Sequence, residues 1–62
     1  MNAIKISCEL TDGQASEFAQ FLKRVSFREY RDNAESEEAA YEMRDAGEVI
    51  RRALADRGYS PR

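Results

Sequence analysis

Apolar and polar residues alternate from Ala3 to Leu10, with Ile4, Ile6, Cys8 and Leu10 on one side and Lys5, Ser7 and Glu9 on the other. A period of two marks a segment with one buried face, so the pattern predicts a β-strand over residues 3–10. At Thr11 the period changes. Ala15, Phe18, Ala19, Leu22 and Val25 recur at spacings of three and four, the buried stripe of an amphipathic helix, and Thr11 with Gln14 three positions later forms a capping box at its start. Ser26 and Glu29 repeat that capping pattern and predict a restart into a short helix from Phe27 to about Asn33, with Phe27 and Tyr30 as its apolar contacts. Ser36 then reads as the N-cap of the last helix, with Glu37 and Glu38 in the first turn, where they complement the helix dipole. This helix is expected to run to Arg57 over a buried stripe of Ala39, Met43, Ala46, Gly47, Ile50 and Leu54. Gly58 supplies a left-handed C-terminal cap, Tyr59 folds back onto the last turn, and Pro61 prevents continuation.

The elements add up to an α+β class, one N-terminal β-strand followed by two or three α-helices, in a single small domain over residues 1–62. A chain this short buries only roughly 60% of its unfolded surface, so a small core must be reinforced from elsewhere. One cysteine and no histidine exclude an internal disulfide and a zinc site with ordinary ligands. Cys8, placed in the alternation, is expected as a small buried hydrophobe in a reducing compartment. The N-terminus lacks the apolar core of a signal peptide, and no run approaches the roughly 18 apolar residues of a membrane span. A soluble, intracellular protein is expected, and its helical apolar period predicts folding despite 35% charged residues.

Charge changes the picture most. Between Glu29 and Glu48 stand eight carboxylates against Arg31 and Arg44, a local net charge of minus six on a chain whose net charge is −2. At about 100 degrees per residue, Glu38, Glu42, Asp45 and Glu48 fall opposite Met43, Ile50 and Leu54, with Tyr41 and Val49 among them. Carboxylates interleaved with an aromatic and an aliphatic side chain form a candidate surface for a basic protein partner. Its members are Glu29, Asp32, Glu35, Glu37, Glu38, Tyr41, Glu42, Asp45, Glu48 and Val49. A purely structural reading competes: acidic first turns suit helix dipoles, Glu48 can pair with Arg52, and Tyr41 can pack under the short second helix.

Catalysis is not expected. The chain has no histidine for acid/base work, no glycine-rich phosphate loop, no nucleophile elbow and no CxxC motif. Neither a cofactor nor a metal is expected, since Asp32, Asn33, Glu35 and Glu37 lack the turn glycine of a calcium loop. Strand, helix, helix is also the order of ribbon-helix-helix repressors, so a dimeric DNA-binding regulator is an alternative, and a small antitoxin or scaffold-type module another. Lys5, Ser7 and Glu9 would give such a dimer little positive charge at the groove.

Three stretches carry a resemblance: the N-terminal segment into Glu9-Leu10-Thr11; Phe21-Leu22-Lys23-Arg24 leading to Glu29-Tyr30-Arg31; and Ala40-Tyr41-Glu42-Met43-Arg44-Asp45-Ala46 ending in Gly58-Tyr59-Ser60-Pro61-Arg62. Together they resemble very small proteins of proteobacteria and their mobile elements, and among these the phage-type anti-CRISPR proteins directed at the type I-C surveillance complex. The resemblance covers nearly the whole chain and includes no catalytic signature. It implies a stoichiometric inhibitor in the cytoplasm of a bacterial host, acting by occupation of a Cas subunit and blocking DNA capture, with no direct contact to nucleic acid or membrane. Monomer and homodimer both remain open. Carboxylates one helical turn apart stand about 5 to 6 Å from each other, a row able to meet the lysines and arginines that hold a nucleic-acid backbone. Ten basic residues and a net charge of −2 depart from strict DNA mimicry.

Overall fold

The computed structural model describes residues 2–61, which hold three helices: α1 (Asp12–Arg24), α2 (Phe27–Asp32) and α3 (Glu37–Asp56). No strand occurs among the described residues, so the fold is all-helical, and the expected α+β class with an N-terminal β-strand is corrected. Residues 2–10 form an irregular arm in which every residue is exposed, Ile4 by 82% and Ile6 by 77%. The physical reason is pairing. A strand is held by a hydrogen-bond ladder to a neighbour, and this chain contains one alternating segment and no second to receive it. Cys8, expected inside, is exposed with the rest of the arm. The Cα radius of gyration, 12.5 Å, exceeds the about 10.5 Å of a compact chain of this length, consistent with a projecting arm.

Local chemistry sets the helix boundaries. The Thr11 hydroxyl accepts the Gln14 N–H at 3.1 Å while the Gln14 side chain accepts the Thr11 N–H at 2.9 Å, closing the capping box of α1. Val25 takes an extended conformation (φ −60°, ψ 132°) that turns the chain, and Ser26 with Glu29 closes a second capping box on α2. The Ser36 hydroxyl accepts the Ala39 N–H at 3.1 Å and starts α3. That helix ends at Asp56, one residue before the expected Arg57, which serves as C-cap. Gly58 has φ +99°, a conformation that costs glycine little, and lets the Tyr59 N–H reach the Leu54 carbonyl and the Gly58 N–H the Ala55 carbonyl, both at 2.9 Å.

α3 is the spine on which α1 and α2 both pack. Ala15 and Ala19 of α1 meet Leu54 of α3, with Leu22 and Tyr59 packed against them, and Ala40 and Gly47 are also buried. The buried line of α3 is therefore Ala40, Gly47 and Leu54, shifted from the expected stripe, for Met43, Ala46 and Ile50 are exposed, as is Phe18 of α1. Small residues let helices approach closely, so the interior of this thin bundle selects alanine and glycine, and larger side chains remain at the rim.

The Tyr59 hydroxyl donates to the Asp12 carboxylate, tying the end of α3 to the start of α1. That hydrogen bond, burial and the negative charge of Asp12 hold the Tyr59 pKa above its ordinary value of 10.0. A raised pKa means that the folded state holds the proton more tightly. The contribution is present below the unfolded value and disappears as pH rises through the folded one. Thermal melts followed by circular dichroism between about pH 9 and pH 11 should show an alkaline loss in the wild type that is smaller in Tyr59→Phe, with Tyr30 and Tyr41 common to both proteins. Equal losses would mean that the Asp12 contact contributes nothing to stability.

Candidate functional site

Glu38, Glu42, Asp45 and Val49 occupy successive turns of α3 at spacings of four, three and four residues and form one ridge, every member exposed. From Glu38 to Val49 the ridge rises about 16 Å along the axis. The helix carrying it is anchored at both ends, by the Ser36 cap and by the Gly58 turn, and by Leu54 on its buried side. The side-chain positions are thus set by a packed helix and not by a loop. Among the described residues Glu38 and Glu42 have no ion-pair partner, while Asp45 takes the Arg44 guanidinium at 3.2 Å. Val49 is 63% exposed and offers an apolar contact beside the carboxylates.

Other expected members are engaged within the chain. The Tyr41 ring packs against Phe27 of α2, centroids 4.6 Å apart and planes inclined by 34°, and Arg44 lies over its face at 4.9 Å. This is the packing under the short second helix that the sequence allowed, although part of the ring stays accessible. Glu29 accepts the Ser26 N–H at 3.1 Å and the Ser26 hydroxyl at 3.2 Å, so its carboxylate closes the α2 cap. Glu48 pairs with Arg51 at 2.8 Å, not with Arg52, and turns toward the cleft lined by Leu22, Lys23, Val25 and Tyr30. Asp32 ends α2, Glu35 lies in the turn that follows and Glu37 opens α3; all three are exposed.

Two features were missed in the sequence. Asp56 lies seven residues beyond Val49 on the same exposed side of α3 and extends the ridge, a position that the helical period assigns to it. Phe18 and Phe21 stack with centroids 5.7 Å apart on an exposed flank of α1, where Phe18 was expected in the core. Among the described residues no group of three His, Cys, Asp or Glu side chains converges as a metal site. No helix among the described residues is long and apolar enough to cross a membrane.

The model of a family described as "Family of unknown function (DUF7706)" matches residues 1–62, and the chain belongs to that family. No curated protein and no solved structure matches it.

Proposed function

We propose that the chain is a non-enzymatic binding module whose α3 ridge docks on a lysine- and arginine-rich protein surface and blocks capture of nucleic acid there. The observation that carries this reading is the exposed row of Glu38 and Glu42, without an ion-pair partner among the described residues and continued by Asp45 and Val49 on one packed helix. Carboxylates on a packed helix need no backbone reordering on binding, steer approach to a basic surface, and leave the apolar contact at Val49 to hold the complex. Within this reading the resemblance to inhibitors of the type I-C surveillance complex makes a DNA-contacting Cas subunit the partner to test, in the cytoplasm of a bacterial host.

Tagged chain mixed with a purified type I-C complex should retain a Cas subunit and abolish the gel shift of that complex on target duplex. Glu38→Lys with Glu42→Lys should lose both effects, by at least about a hundredfold in affinity if each reversal costs some 1.4 kcal/mol, while helical circular dichroism is unchanged. A chain that neither retains a Cas subunit nor alters the shift has another partner. A double variant that still binds at full strength removes the ridge from the interface. Shift of duplex DNA by the chain alone at low salt would favour the DNA-binding regulator instead.

A further inference from the structure

We propose that a second copy of this chain covers the exposed N-terminal arm, the two arms lying antiparallel over residues 3–10 with Ser7 at the two-fold axis. The single chain keeps its three helices in this scheme, and the pairing belongs to the two-chain assembly.

The arm presents two unmet requirements. Ile4, Ile6, Cys8 and Leu10 alternate along the arm and are all exposed, Ile4 and Ile6 the most and Leu10 by 47%. Its backbone is equally free: no N–H or C=O of residues 2–10 makes a backbone hydrogen bond among the described residues. The arm contains neither proline nor glycine, and no described non-glycine residue has positive φ, so each of these groups can serve a neighbouring chain. An exposed, unpaired apolar segment is a template for association unless something blunts it, and here only Lys5 and Glu9 add charge. The interior gives a further reason, since the buried hydrophobic side chains are Ala15, Ala19, Ala40 and Leu54, a thin core for an independent unit.

The occupant follows from self-complementarity. In a two-fold pair every contact occurs twice, and centring on Ser7 sets Lys5 opposite the partner's Glu9, Ile6 opposite the partner's Cys8 and Ile4 opposite the partner's Leu10. Charges meet opposite charges, and apolar side chains meet apolar ones. A shift of the relation by one residue would bring apolar residues opposite polar ones. Centring on Ile6 would give Lys5 the partner's Ser7, and centring on Cys8 would give Glu9 the partner's Ser7, so each loses the ion pair. Only the Ser7 register satisfies the charge and the apolar rows together.

Sedimentation equilibrium of the full chain tests this, with circular dichroism verifying that each variant keeps its helices. Wild type should sediment as a dimer at about 100 μM. Lys5→Glu and Glu9→Lys each place like charges opposite one another twice per dimer and should weaken it on the order of tenfold, whereas the double variant restores the pair and should return to within about threefold of wild type. In a Cys8→Ser background, Ser7→Cys should cross-link across the axis on mild oxidation and Lys5→Cys should not. A monomer at that concentration, a double variant as weak as either single one, or equal cross-linking at both positions overturns the proposal.

Discussion

Leu54→Ala is expected to remove most of the stability of the isolated chain, moving its urea midpoint close to zero. Leu54, 8% exposed, is the large apolar side chain at the centre of the buried set, and its companions are alanines. Truncating a buried leucine costs about 2–5 kcal/mol, the transfer of the lost methyls plus the cavity they leave. A chain of this length has roughly 3–9 kcal/mol in total, so the loss is comparable with the whole. Leu54→Met preserves volume and should cost less than about 1.5 kcal/mol. Ile50→Ala is the informative contrast: Ile50 is 45% exposed, and its truncation should cost far less than that of Leu54. Urea titration followed at the helical circular dichroism band distinguishes these cases. Equal losses at residues 50 and 54 would mean that Ile50 holds the helices as firmly as Leu54 and that the buried side of α3 extends to it.

That contrast locates what was legible in the sequence. The capping boxes at Thr11 and Ser26, the Ser36 cap and the Gly58 turn were all readable because each is decided within a few residues, by a hydroxyl or carboxylate reaching a nearby N–H or by a glycine free to take positive φ. The arm was not, because alternation reports which residues could share a face and carries no information about whether a neighbour exists. The phase of α3 was off for a related reason. Gly47 and Leu54 are buried as expected, but Met43 and Ile50, which rank as more hydrophobic than Ala40, stay exposed while Ala40 is buried, and no hydropathy scale ranks residues by their smallness.

The candidate site divides along the same line. Glu38, Glu42, Asp45 and Val49 share a ridge by helical period alone, and the structure brings them together as the wheel suggests. Tyr41, Glu29 and Glu48 depend on where α2 folds back and which arginine lies nearest, and these are three-dimensional outcomes. The acidic surface is consequently narrower than the acidic sequence. A ridge of carboxylates faces solvent, while part of the remaining charge holds a cap and borders a cleft.

Gly47→Ala is expected to destabilise the wild-type chain and to stabilise one that carries Tyr30→Phe. In an ordinary helix interior this substitution gains up to about 1 kcal/mol, because alanine loses less backbone entropy than glycine. At residue 47 an added Cβ would stand 2.5 Å from the Tyr30 hydroxyl, so the ring of α2 must move off the spine. Overpacking of this kind costs about 1–3 kcal/mol, which offsets the helix gain and leaves a net loss of up to about 2 kcal/mol. The Tyr30 hydroxyl makes no hydrogen bond among the described residues, so Tyr30→Phe removes the obstructing oxygen at small cost. The next atoms met by the Cβ, Leu22 Cδ2 and the ring carbon that bore the hydroxyl, stand at 3.5 Å, ordinary contact distance. A double-mutant cycle by urea denaturation should therefore show a change of sign, with a coupling of about 1–3 kcal/mol between residues 30 and 47. If Gly47→Ala stabilises with Tyr30 intact, the ring swings aside freely, and α2 with its Tyr41–Phe27 contact is not fixed against the helix that carries the acidic ridge. If the sign changes, glycine at residue 47 is what lets α2 close on α3, and the surface at Tyr41 is as rigid as the spine beneath it.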